Sequence, residues 1–146
     1  MQIRLTKGKV ALGISMILMA ASSFAQAPAK ALKDAGEGEI VQAIQKETDA
    51  KKRLQLIDQW KEKYPTSDFK SERAAAKLAT AQQAQDAPKT REAANELIEA
   101  DQGQSPASMQ AYAVLLQFGM KDQNAAEIEQ NAQKILSSLD TEGHVA

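Results

Sequence analysis

The chain has 146 residues, with eighteen basic and nineteen acidic side chains, one histidine, no cysteine and aromatics at only 4%. That length holds one ordinary domain. The absence of cysteine removes any disulfide framework, thiolate metal site or lipid-modified cysteine, and the balanced charge supplies no concentrated positive patch for nucleic acid or anionic lipid.

The N-terminus reads as a targeting segment. Arg4, Lys7 and Lys9 form a basic stretch, residues 10–21 are almost wholly apolar, and Ala25-Gln26-Ala27 has the small-x-small form of a secretory cleavage site. The apolar run falls short of the roughly 18 to 20 residues that span a bilayer, so cleavage after Ala27 is expected, with no stable membrane insertion afterwards. Removing those three basic residues from eighteen leaves fifteen against nineteen acids, a net charge of −4. Residues 28–38 carry Pro28, Gly36 and Gly38 with little apolar periodicity and read as a flexible leader.

A helical domain is expected over 39–140. Ile40, Val41 and Ile44 give one face of a short first helix. Asp49 caps a second, striped by Leu54, Leu56, Ile57, Trp60 and Tyr64 and stopped by Pro65. Asp68 is the expected cap of a third, in which Ala74-Ala75-Ala76 permits close helix approach and Leu78 faces the core. Asp86, with Pro88 in the first turn, opens a fourth containing Ala93, Ala94, Leu97 and Ile98, with Gly103 as its terminator. Ser105-Pro106 opens a fifth, with Met109, Tyr112, Leu115, Leu116 and Phe118 as core and Gly119 at or close to its end. Asn124 and Glu127 form a capping box for a sixth, where Ile128, Ala132, Ile135, Leu136 and Leu139 recur at helical spacing. Residues 141–146 are expected to be a disordered tail.

The caps repeat. Asp49, Asp86 and Asn124 are separated by 37 and 38 positions, Asp68 and Ser105 by 37, and Trp60 maps to Leu97 and Leu97 to Ile135 at the same steps. Two helices per unit at this period predict antiparallel hairpins stacked as a short α-solenoid, an all-α fold of six helices. The competing reading is a small helical bundle with a structural or ligand-carrying role.

The segment from Leu54 to Ala79, with Tyr64-Pro65, Ser67 and the alanine-rich helix through Ala75, resembles the tetratricopeptide-like (TPR) repeats of exported bacterial proteins. Repeats of outer-membrane assembly lipoproteins and of Tol-Pal-linked periplasmic proteins are the most similar in pattern. The later junctions lack the Tyr-Pro pair and the period exceeds the usual 34. The resemblance implies a periplasmic or secreted adaptor whose partners are other envelope proteins or peptides.

Catalytic chemistry has little to work with. His144 stands in the expected tail, Gly8-Lys9 lacks the rest of a phosphate loop, and acids such as Glu127 and Glu129 sit near a helix start, where they complement its dipole. No enzyme activity, metal or cofactor is expected. A solenoid binds along the surface lined by its first helices, and Lys70, Arg73, Lys77, Gln110, Tyr112 and Gln117 are the polar or amphipathic residues expected there.

Overall fold

A computed structural model describes residues 30–103 and 105–143. The expected signal peptide (1–27), the start of the expected leader and the last three residues lie outside the described residues. All regular structure among the described residues is helical: α1 (Ala35–Lys46), α2 (Ala50–Lys63), α3 (Lys70–Gln83), α4 (Ala87–Asp101), α5 (Pro106–Lys121) and α6 (Ala125–Gly143). None of these helices is long and apolar enough to cross a membrane.

Every extensive helix contact joins neighbours in sequence. Short connections turn each described helix back on the last, so each packs mainly against its sequence neighbours. Two apolar clusters follow from this. Ile44, Ile57 and Trp60 hold α1 to α2, with Phe69 packed against them. Ala74, Leu78, Ala93, Ala94, Leu97, Ala111, Val114 and Leu115 join α3, α4 and α5. Ala81, Ala93, Ala94 and Ala111 are completely buried, so the helices meet through small side chains.

The helix starts obey local chemistry. Asp49 accepts from Lys52 N at 2.9 Å, Asp86 from Lys89 N at 3.0 Å, and Ser105 from Ser108 N at 3.1 Å, each satisfying a first-turn donor. Asp68 is a correction. The N-cap of α3 is Phe69, without a side-chain cap bond, and Asp68 instead accepts from Ala31 N and Lys33 Nζ.

That diversion corrects the leader as well. α1 starts at Ala35, capped by Asp34, and Lys30 to Asp34 lie as a strap across the corner between α2 and α3. Lys30 pairs with Glu72, Lys33 with Asp68 at 3.0 Å, and Tyr64 Oη donates to Asp34 at 2.7 Å. The Asp34 carboxylate holds the Tyr64 proton, pushing its pKa up to about 12. Gly36 and Gly38 are helical, a state that their low helix propensity hides in the sequence.

Gly119 comes close to the end of α5, which runs on to Lys121, and is buried there, where an added Cβ would stand 3.2 Å from Ile128 Cγ1. One C-terminal expectation changes. α6 continues to Gly143, past the expected boundary at Asp140, while Leu136 and Leu139 are 61% and 55% exposed. Their spacing is helical, but no described element packs over that side of α6.

Candidate interaction groove

The C-terminal halves of α3 and α5 face each other across the start of α4. Between them lies a groove of about 310 Å³. Val114 and Phe118 from α5, with Ala87 and Thr90 from α4, form its walls, and Gln82, Gln85, Gln117 and Lys121 line it with polar groups.

Each component has a local cause. Gln117 and Lys121 are four residues apart on α5 and so share a face. Phe118 is held in place by Arg91, whose guanidinium lies 4.8 Å from the ring centroid. Arg91 also bonds Asp122 at 2.5 Å and pairs with Glu127, tying α4 to the start of α6. Gln85 ends the α3 turn with φ +54°, and Thr90 Oγ1 donates to Asp86 O at 2.8 Å.

The Gln82, Gln85 and Gln117 amides and the Lys121 ammonium have no hydrogen-bond or ion-pair partner among the described residues. Among the described residues, Lys121 is the one charged group lining the groove and no carboxylate lines it. Each glutamine offers a donor and an acceptor beside an apolar wall, an arrangement suited to a chain of peptide groups. Nothing in it forms a nucleophile–base pair.

The six residues expected on one surface separate in the structure. Gln117 lines this groove and Gln110 is exposed elsewhere on α5. Lys70 is exposed at the start of α3, beside a different depression lined by Lys61 and Glu99. Arg73 is a correction: it is buried, donating to Tyr64 O at 2.9 Å with its guanidinium 5.5 Å from the Trp60 centroid. Tyr112 is also buried, against Gly103.

Lys77 is the largest correction, at 2% side-chain exposure. Its ammonium meets Glu92 at 2.6 Å, Glu96 at 2.9 Å and Asp58 at 3.1 Å. Burial works against the charged form, yet the hydrogen bonds the ammonium donates to the three carboxylates outweigh it and raise the pKa above the ordinary lysine range. Such a lysine is held as a buried cation by three carboxylates.

Sequence reasoning missed Gln82, Gln85 and Lys121 as lining residues. The i, i+4 relation of Gln117 to Lys121 was the available signal; the approach of α3 to α5 was not. Comparison with protein-family models, curated proteins and solved structures gives no match. The functional reading therefore rests on the geometry.

Proposed function

We propose that this chain is a non-catalytic protein-interaction module, an exported adaptor or scaffold of the bacterial cell envelope built on TPR-like repeats. The observation that carries the interaction reading is the α3–α5 groove, with its unpaired amides beside Val114 and Phe118. Consecutive helix packing supports the repeat reading, because a stack of hairpins leaves such grooves open along its length. The export reading is supported by the basic, apolar and small-residue order of residues 1–27.

A photo-crosslinking residue at Gln117 tests the first part. Irradiation in the envelope fraction should give discrete protein adducts that are absent when the probe replaces exposed Gln59 on α2. Equal or absent labelling from both positions would refute the groove. Mass determination tests the second part: the exported protein should begin at Pro28, and retention of Met1 would overturn it.

A further inference from the structure

The hairpin repeat places the same kind of gap in the molecule twice. One lies between α2 and α4 above α3, the other between α4 and α6 above α5. Positions correspond by 37 residues from α2 to α4 and from α3 to α5, and by 38 from α4 to α6. Burial follows that register, since Leu78 and Leu115 are both buried, as are Ala74 and Ala111.

The first gap is a depression of about 470 Å³ bridged by an ionic lattice. Lys77 reaches Asp58, Glu92 and Glu96, while Lys61 meets Glu96 at 2.7 Å and Lys89 meets Asp58 at 3.1 Å. Each of these six charges meets an opposite charge within the chain.

In the second gap the lattice has been replaced. Val114 stands at the position of Lys77, Asn95 at Asp58, Ile98 at Lys61, Gln130 at Glu92 and Lys134 at Glu96. Val114 carries no group long enough to cross and lines the α3–α5 groove instead. What remains is a cleft of about 360 Å³ with Ile98, Tyr112 and Leu115 as an apolar floor and Asn95, Gln130 and Lys134 among its rim. The lining carboxylate, Glu127, is already paired with Arg91. Lys134 has no ion pair among the described residues.

We propose that this α4–α6 cleft docks a partner polypeptide segment that presents a leucine-sized apolar side chain next to a carboxylate. The apolar side chain covers Ile98 and Leu115. The carboxylate pairs with Lys134, restoring the kind of contact that Lys77 and Glu96 make in the first gap. Gln130, and the Oδ1 and second N–H of Asn95, whose Nδ2 already donates to Arg91 O at 3.0 Å, offer donors and acceptors to main-chain amides, which favours a polypeptide over a fatty acid of similar polarity. The surface is separate from the α3–α5 groove, so either can fail alone.

The test is a titration of the 15N-labelled full chain with a synthetic helical peptide, N-acetylated and C-amidated, carrying leucine and glutamate four residues apart. Saturable amide shifts are expected at Asn95, Ile98, Gln130 and Lys134. Binding should weaken about tenfold when the peptide glutamate is replaced by glutamine or the protein carries Lys134→Glu, as expected for a charge-assisted contact. Lys134 is exposed, and an unchanged helical circular dichroism spectrum would establish that the variant folds. Shifts confined to Gln82, Gln117 and Lys121 would overturn the cleft while supporting the groove. Equal binding of the glutamate and glutamine peptides, displacement by dodecanoate, or no saturable shift at millimolar peptide would each overturn the cleft.

Discussion

Trp60 Nε1 donates a 2.8 Å hydrogen bond to Glu37 Oε1, and both residues are buried. The bond ties α1 to α2 at the corner crossed by the strap, and the second carboxylate oxygen accepts from Lys33 N at 2.6 Å. Burial opposes ionisation of Glu37, but hydrogen bonds from Ser67, Lys33 N and Trp60 together hold its pKa below the usual glutamate value. Glu37→Ala should cost about 1–3 kcal/mol in urea denaturation, because it strands buried donors.

The same carboxylate sets an acid limit. Its folded pKa is depressed, so its contribution is present above the ordinary value of 4.5 and is lost as pH falls through the folded value. Stability measured from pH 7 to 3 should therefore decline less steeply in Glu37→Ala than in the parent chain. Parallel curves would contradict the assignment.

Lys77→Met removes the cation from three carboxylates. Loss of one partner of a buried ion pair typically costs about 3–5 kcal/mol, and partial hydration of Asp58 and Glu92 should bring this nearer the lower end. The raised Lys77 pKa means that its contribution is complete below the ordinary lysine value of 10.5 and is lost as pH rises through the folded value. Asp58 and Glu96 are shifted down, so acid removes the contribution as pH falls through their folded values. The stability difference between parent and variant should form a plateau across neutral pH, measured by chemical denaturation.

Gln85, Gln102 and Gln123 have φ values of +54°, +59° and +55°, just beyond the ends of α3, α4 and α5. Left-handed backbone costs a residue with a Cβ roughly 1–2 kcal/mol, whereas glycine adopts it freely but loses more chain entropy on folding. Gln123→Gly should raise stability by about 0.5–1 kcal/mol, seen as a higher melting temperature. A loss would show that the glutamine side chain contributes at this position.

Gly103 has φ +71°, and a Cβ added there would collide with Tyr112 Oη. Gly103→Ala should destabilise the chain by about 1–3 kcal/mol through backbone strain and the clash. Adding Tyr112→Phe should recover part of that loss. A double-mutant cycle with no coupling would place the whole cost in the backbone.

Leu136 and Leu97 are indistinguishable as apolar helix positions in the sequence, yet one is 61% exposed and the other 1%. Leu97→Ala should cost about 2–5 kcal/mol, whereas Leu136→Gln should change stability by less than about 0.5 kcal/mol. Thermal unfolding of the two variants checks the contrast.

The helices, most caps and the 37-residue step were legible because they depend on contacts within three or four residues, or on comparison of one such segment with another. Asp49, Asp86 and Ser105 each satisfy donors in their own first turn. Asp68 misled because its carboxylate was claimed by Ala31 and Lys33, more than thirty positions away. Lys77 misled for a similar reason, since its polarity signals solvent until three carboxylates from two other helices are brought to it.

By itself the sequence determined that the described residues are helical and where α2, α4, α5 and α6 start, since short-range hydrogen bonding and apolar spacing decide those matters. Tertiary structure alone decided which polar groups are spent inside. Lys77, Arg73 and Glu37 are buried because distant residues complete their hydrogen bonds, whereas Gln117, Lys121 and Lys134 keep theirs open because no described helix reaches them.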